Sequence, residues 1–151
     1  MSGRPESGLE RLQCLQVFES SLVDAHALLQ PLGIELVTEA VNTLDWPGYL
    51  IGSTRQAIEL ITRLGLPGLR LQFDIYHSAR MGEAPLLELE THADLIGHIQ
   101  FSDCPGRGEP GSGTLDFDAL FETIDRLPYT AFVGAEYFPT GATRESLDWL
   151  K

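Results

Sequence analysis

Positively charged residues are scarce in this chain of 151 residues. Lys and Arg together number 10 against 22 Asp and Glu, which gives a formal net charge of -12. A protein that binds duplex nucleic acid or an anionic membrane surface needs clustered cations, because these neutralise the phosphates of its partner. The sequence contains no such cluster. We therefore expect no nucleic-acid partner and no membrane partner.

Cysteine and long apolar runs are also scarce. The two cysteines, Cys14 and Cys104, lie far apart and form no CxxC pair, so the sequence predicts two reduced thiols rather than a disulfide framework. No apolar run approaches the roughly 18 residues that span a bilayer, and the N-terminus lacks the apolar stretch of a signal peptide. These absences predict a cytoplasmic protein.

What the chain does contain is an ordinary globular composition, with 43% hydrophobic and 21% charged residues. This composition predicts one domain over residues 1–151 around one core. Short apolar runs alternate with longer segments of helical periodicity. Helices are predicted at 9–29, 53–64, 85–95, from Asp116 or Asp118 to 127, and from 143 onward. Strands are predicted at 34–41, 69–76, 98–102 and 132–137. In the first helix, one apolar face is predicted from Leu12, Leu15, Phe18, Leu22, Ala25 and Leu29.

Strand–helix–strand alternation with short connections indicates an α/β fold with a parallel sheet, because parallel neighbours need a crossover between them. Crossovers of this kind are right-handed, so consecutive strands are expected to lie side by side. An open doubly wound sheet and a (β/α) barrel both fit the pattern. Periodicity alone does not separate them.

Every predicted strand has an oxygen-bearing side chain at or near its C-terminal end. Side chains alternate across a strand, and the inferred positions are Glu39, Asp74, Gln100 and Glu136. An unpaired buried carboxylate is costly, so convergence of these groups predicts a divalent cation between them. Oxygen ligands favour Mg²⁺ or Mn²⁺ over zinc. The alternative is that each group separately faces solvent at a loop junction. We expect His98 to be a hydrogen-bonded interior histidine rather than a ligand.

Two further signals in the loop after the third strand carry little weight. Gly106, Gly108 and Gly111 spell GxGxxG, but a dinucleotide site needs a helix to begin within the loop, and here the helix is predicted only later. Glu109 in the same loop would repel a phosphate. Cys104 could act as a nucleophile, but no motif pairs it with a base.

Four blocks of sequence resemble the hydroxypyruvate isomerase family, within the xylose isomerase-like TIM barrels. The blocks are TEAVNTLDWPGY (38–49), LQFDIYH (71–77), GHIQFSDCPGRGEPGSG (97–113) and GAEYFPTGATRESLDWL (134–150). The resemblance covers nearly the whole chain. It implies a TIM-barrel-like fold that is an incomplete barrel, with the four strands corresponding to strands five to eight.

The resemblance also implies roles for individual residues. Glu39, Asp74, Gln100 and Glu136 take the positions of metal ligands. Glu39 and Glu136 would also be the two catalytic carboxylates that move protons. His77 and Arg107 match positions that contact substrate in related epimerases, and Asp45 lies where a further substrate-contacting acid is expected.

The implied reaction interconverts hydroxypyruvate and 2-hydroxy-3-oxopropanoate (tartronate semialdehyde) through a metal-stabilised enediolate. A ketose 3-epimerase or a 2-oxo-tetronate isomerase could use the same ligands and remains an alternative. A non-catalytic half-barrel is the alternative from a different class. Such a half-barrel is expected to expose unpaired strand edges and an apolar inner face, and two copies could relieve this by self-association.

Overall fold

The computed structural model describes residues 2–6 and 8–150, which form an α/β fold around one parallel sheet of four strands. The strands, in the sheet order β1-β2-β3-β4, are β1 (Leu36–Glu39), β2 (Leu69–Asp74), β3 (Ile96–Phe101) and β4 (Val133–Ala135). The α-helices are α1 (Arg11–Leu29), α2 (Thr54–Leu64), α3 (Ile75–Arg80), α4 (Pro85–His92) and α5 (Phe117–Arg126). Strands that are consecutive in the chain pair in parallel, as predicted.

The core lies on one face of this sheet. Leu71, Phe73 and Ile99 point to that face and are almost completely buried, and they form one apolar cluster with residues of α2, α4 and α5 such as Leu60 and Leu89. A doubly wound sheet carries helices on both faces and reverses its strand order at a switch point. The sequential order and the single covered face are instead those of a (β/α) barrel wall.

The opposite face of the sheet is polar. Arg70 donates to the carboxylate of Glu35 at 3.0 Å, and the amide of Gln72 donates to that of Gln100 on the next strand. The expectation of an apolar inner face is therefore wrong for this sheet. Val37 is an apolar residue on this side, and its exposed fraction is 36%.

Several element boundaries differ from the sequence prediction. The second strand ends at Asp74 rather than at residue 76, because the Asp74 carboxylate caps a helix that the sequence pattern had not revealed, α3. The third strand starts at Ile96, since the preceding helix ends as a 3₁₀ turn at Ala93–Leu95. The segment after 143 forms a 3₁₀ turn at Glu145–Leu150 instead of an α-helix.

The outer strands are shorter than predicted, and α1 is less buried. The first strand covers Leu36–Glu39 within the expected 34–41, and the fourth covers only Val133–Ala135 within 132–137. On α1, Leu22 is buried as expected, whereas Leu12 is 67% exposed despite its place on the predicted apolar face. Within the part of the chain that is described, no helix is both long enough and apolar enough to cross a membrane.

Helix α2 begins where the sequence predicted. The hydroxyl of Ser53 accepts a hydrogen bond from the backbone N–H of Gln56 at 3.3 Å, and the helix ends at Gly65, whose φ is positive. The Gln56 side chain reaches back to the N–H of Gly52. This capping fixes the start of the helix that covers β1 and β2.

Candidate active site

The polar residues singled out at the strand ends do lie at the carboxyl edge of the sheet. Glu39 is the last residue of β1 and Asp74 the last of β2, and their exposed fractions are 8% and 4%. Gln100 lies directly beside Asp74 in the strand register, and Glu136 follows the end of β4. The parallel sheet thus brings all four residues to one edge.

The two carboxylate oxygens of Asp74 have different surroundings. Its Oδ1 accepts the backbone N–H groups of Tyr76 at 2.8 Å and His77 at 3.3 Å, as the N-cap of α3. Its Oδ2 is buried and has no hydrogen-bond partner among the described residues. A buried carboxylate oxygen without a donor is unfavourable, so this atom indicates a group that is to be bound there.

Glu39, Asp74 and His77 form a compact cluster in which one ligand atom of each lies within 4.8 Å of the others. Burial, reinforced by the negative charges of Asp74 and Glu136, raises the pKa of Glu39 from 4.5 to about 7. Burial likewise raises the pKa of Asp74 from 3.8 to about 6. A divalent cation would offset this repulsion and satisfy Asp74 Oδ2, so the donor set fits one.

Gln100 and Glu136 lie beside this cluster with partners of their own. The amide oxygen of Gln100 accepts the hydrogen bond from Gln72, and Glu136 forms an ion pair with Arg107 at 3.0 Å. The Glu136 side chain is 51% exposed. Glu136 therefore faces the opening of the site, whereas Glu39 lies at its base.

Arg107 is held over the site by several contacts. Its guanidinium carbon lies 5.2 Å from the ring centre of Tyr76 and 5.8 Å from that of Phe138. Its backbone adopts a left-handed φ of 56°, and its carbonyl accepts the N–H of Phe138 at 2.8 Å. A non-glycine residue in this conformation is held there by its surroundings, here at the edge of the site.

The loop that carries Arg107 is organised by a single buried carboxylate. Asp103 is 1% exposed. It accepts four backbone N–H groups, at 2.7–3.0 Å, from Cys104, Gly111, Gly113 and Leu115. A side chain at Gly113 would approach the Cys104 carbonyl to 2.3 Å, so only glycine fits there.

The same contacts bear on the glycine pattern and on Cys104. The N–H groups of Gly111 and Gly113 point at Asp103, and α5 begins only at Phe117, so the glycine pattern is not a dinucleotide site. Both cysteines are free. Burial raises the pKa of the Cys104 thiol, which makes it a poor nucleophile.

A cavity of about 250 Å³ opens beside the carboxylate cluster. Its lining residues are Glu39, Val41, Trp46, Tyr49, His77, Arg107 and Glu136. The two glutamates, the histidine and the arginine are its polar lining residues, and Val41, Trp46 and Tyr49 contribute apolar surface. The cavity is large enough for a molecule of a few carbon atoms.

Asp45 is placed differently from the other predicted substrate-contacting residues. Its carboxylate accepts the hydroxyl of Tyr76, the side-chain amide of Asn42 at 3.0 Å and the guanidinium of Arg80 at 3.2 Å. Burial opposes ionisation of Asp45, but these hydrogen bonds outweigh it and lower its pKa. Asp45 is not among the residues that line the cavity.

Asn42 and Asp103 are site residues that the sequence had not revealed. Both are almost completely buried and act through other residues, Asn42 through His77 and Asp103 through the loop of Arg107. An aspartate directly between a strand and a glycine-rich loop was a usable signal for Asp103. No comparable pattern marks Asn42.

Comparison with known proteins agrees with the fold. The whole chain, residues 1–151, matches the xylose isomerase-like TIM barrel family. It is 39% identical over 149 residues to the hydroxypyruvate isomerase of Escherichia coli K12, covering 98% of this chain and 57% of that protein. It is 32% identical over 151 residues to the 2-oxo-tetronate isomerase of Cupriavidus necator, covering 100% of this chain and 58% of that protein.

A solved structure shows the same architecture. The crystal structure of an AP endonuclease, family 2, from Brucella melitensis matches with a TM-score of 0.90 and 33% sequence identity, over 95% of this chain and 56% of that chain. The chain thus spans somewhat more than half the length of the relatives it matches. A parallel sheet in sequential order and a match over the entire sequence lead to one conclusion: the chain belongs to the xylose isomerase-like TIM barrel family.

Proposed function

We propose that this protein is an isomerase that interconverts hydroxypyruvate and 2-hydroxy-3-oxopropanoate. The observation that carries the proposal is the cavity in which Glu39 and Glu136 meet Arg107 and His77. Proton transfer between two adjacent carbons needs acid–base groups, which the two glutamates supply, and an anionic substrate needs a cation. The 39% identity to a hydroxypyruvate isomerase supports this choice of substrate.

A divalent cation, Mg²⁺ or Mn²⁺, is the cofactor we propose for this site. Glu39 and Asp74 would hold it, with Gln100 and Glu136 as the further oxygen donors at the same sheet edge. Such an ion supplies Lewis-acid polarisation of the substrate carbonyl when it is bound. The unpartnered Asp74 Oδ2 supports this assignment.

Arg107 is the residue we assign to the substrate carboxylate. Its planar guanidinium can donate to two oxygens at once. Tyr76 and Phe138 hold that group in place before substrate arrives, and only 16% of the Arg107 side chain is exposed. The neighbouring ion pair with Glu136 places the carboxylate-binding group beside one of the two proton-transferring groups.

The two glutamates carry out the proton transfer. One removes a proton from C3 of hydroxypyruvate, which leaves an enediolate. The hydroxyl proton moves from the C3 oxygen to the C2 oxygen, and the other glutamate delivers a proton to C2, so that C3 becomes the aldehyde and C2 the alcohol carbon. In the metal-free chain burial raises the pKa of Glu39 to about 7, and a bound cation would lower it, so Glu39 beside the cation is ionised at neutral pH and is suited to remove the proton. Glu39 lies at the base of the cavity and Glu136 at its opening, so the substrate carbons would lie between them.

A four-carbon 2-oxo acid is the alternative substrate. The 32% identity to a 2-oxo-tetronate isomerase favours this possibility, and the chemistry at the reacting carbons would be the same. A nucleic-acid substrate is less well supported, because the formal net charge of -12 opposes binding to phosphates.

We also propose that the four strands correspond to strands five to eight of an eight-stranded barrel, and that two copies can associate through their open sheet edges. The length comparison supports the first part, since the chain spans 56–58% of its relatives. For the second part, neither β1 nor β4 has an outer partner strand among residues 2–6 and 8–150. No turnover in a well-folded preparation would favour the alternative, a non-catalytic half-barrel.

Conversion of hydroxypyruvate followed by proton NMR tests the proposed function. We expect turnover with Mg²⁺, loss of turnover after EDTA treatment, and a decrease of about 100-fold or more in Glu136→Gln. Glu122→Gln changes an exposed glutamate of α5 and serves as the matched control with unchanged turnover. Turnover that withstands both EDTA and Glu136→Gln would contradict the mechanism.

A further inference from the structure

The imidazole of His77 receives two hydrogen-bond donors on the same nitrogen. The backbone N–H of Asn42 points at His77 Nδ1 at 3.3 Å, and the side-chain nitrogen of Asn42 lies 2.7 Å from the same atom. His77 is 4% exposed and Asn42 is completely buried.

The orientation of the Asn42 amide is fixed independently of His77. The backbone N–H of Asp45 donates to Asn42 Oδ1 at 2.8 Å, and Asn42 Nδ2 donates to the Asp45 carboxylate at 3.0 Å. Rotating the amide by half a turn would set oxygen against carboxylate and N–H against N–H. The nitrogen end of Asn42 must therefore face His77.

Two donors that meet at Nδ1 require a lone pair on that atom. Nδ1 therefore carries no proton, and the proton of the neutral ring lies on Nε2. A doubly protonated ring would place an N–H against both donors and is excluded by the same contacts. Nε2 is directed at the cluster of Glu39 and Asp74, and lies 3.8 Å from Glu39 Oε1 and 3.7 Å from Asp74 Oδ2.

We propose that Asn42 is a positioning residue that fixes the tautomer of His77, so that His77 is a hydrogen-bond donor in the cavity and not a metal ligand. A metal ligand must offer a lone pair, and Nδ1 uses its lone pair on Asn42 while Nε2 carries the proton. Both carboxylate distances exceed hydrogen-bonding range, so the Nε2–H can donate to an oxygen of a bound molecule. That this molecule is the 2-oxo acid rests on the proposed function.

The tautomer is measured directly by long-range ¹H–¹⁵N NMR of the imidazole rings. The chain has four histidines, and the His77 signals are assigned by their loss in His77→Gln. We expect the wild-type spectrum to show a protonated Nε2 and an unprotonated Nδ1 at neutral pH. A spectrum with the proton on Nδ1 of His77 overturns the proposal.

Asn42→Asp tests the role of Asn42, because it replaces the donor by an acceptor of the same shape. We expect Nδ1 to gain a proton in this variant. An unchanged His77 spectrum would assign the tautomer to the backbone N–H of residue 42 or to another group, and would overturn the role of the Asn42 side chain. Where turnover is measurable, we expect kcat of Asn42→Asp to fall about 10-fold to 100-fold with less change in KM.

Binding of Mn²⁺ alone, measured by calorimetry, tests the second half of the proposal. We expect His77→Gln to change the Kd for Mn²⁺ by less than about threefold, whereas Asp74→Asn weakens it about tenfold or more. An equal loss in both variants would make His77 a ligand and overturn the proposal. If the wild-type chain binds no Mn²⁺, the proposed function fails, and the NMR spectrum still decides the tautomer.

Discussion

Burial of Glu39 in the site lowers the stability of the folded, metal-free chain at high pH. Its carboxylate is buried beside Asp74, and this raises its pKa from 4.5 to about 7. The folded, metal-free chain therefore binds the Glu39 proton more tightly than the unfolded chain does. The corresponding stabilisation is complete below pH 4.5 and is lost as the pH rises through 7.

We expect Glu39→Gln to stabilise the metal-free chain at pH 8. The amide cannot ionise, so the variant avoids a buried charge, and its free energy of unfolding should exceed that of the wild type by roughly 1–3 kcal/mol. The difference should shrink towards zero at pH 4. Urea unfolding in EDTA at both pH values measures it.

Glu59→Gln is the matched control for this prediction. Glu59 is an exposed residue of α2, paired with Arg55 at 3.8 Å, and its replacement should change the free energy of unfolding by less than about 0.5 kcal/mol at either pH. A Glu39→Gln effect that is the same at pH 4 and pH 8 would show that the carboxylate does not titrate as described.

The sequence predicted the positions of the acidic residues at the strand ends, but it did not predict the residues that contact and orient the site side chains. Glu39 and Asp74 were found because side chains alternate along a strand and both residues end one, which is local information. Asn42 was not found, because its contact with His77 joins positions 35 residues apart and depends on the cap that Asp74 provides for α3. The hydrogen bond from Gln72 to Gln100 also joins residues far apart in the chain, so the local pattern did not predict it.

At the scale of elements, the loop between β3 and α5 depends on Asp103. This carboxylate accepts four backbone N–H groups, and the loop carries Arg107 to the cavity. A segment of irregular backbone lacks the regular pairing of a helix or strand, so its N–H groups need a partner of this kind.

We expect Asp103→Ala to lower the free energy of unfolding by roughly 2–4 kcal/mol, because buried N–H groups lose their acceptor. The loop should also become a substrate for trypsin at Arg107, which limited proteolysis and mass spectrometry would detect. Asp125→Asn, on the exposed face of α5, is the control and should leave both properties unchanged. Resistance of Asp103→Ala at Arg107 would show that other contacts hold the loop.

Elements with strong local signals were predicted closely, and those that depend on partners were not. Helix α2 has its cap and its terminating glycine in the sequence, and its bounds match the prediction. Helix α3 interrupts an apolar run that reads as strand, since Ile75 and Tyr76 have strand propensities that the Asp74 cap overrides. The fourth strand is short because only β3 pairs with it in the described chain.

At the scale of the whole molecule, the sheet has two open edges. The exposed apolar residues near them include Val37, Phe132 and Val133, of which Phe132 is 87% exposed. Both edge strands are short, which limits uncontrolled pairing with other chains. Two copies related by a two-fold axis could pair β1 of each with β4 of the other.

We expect sedimentation velocity to show concentration-dependent association of the wild-type chain. Phe132→Lys places a charge beside the β4 edge and should weaken association by about tenfold or more. Leu87→Lys likewise introduces a lysine at an exposed apolar position, which is 59% exposed on α4, and is the control. A folded monomer at all concentrations would rule out pairing of the edges.

The polar inner face of the sheet also bears on how the chain folds. Glu35 with Arg70, and Gln72 with Gln100, satisfy one another while still in contact with water. Condensation of α2, α4 and α5 onto the other face buries the hydrophobic side chains and needs only strands that are adjacent along the chain. The native strand order can therefore form from segments that are close along the chain, and the polar face of the sheet can keep its water while it does so.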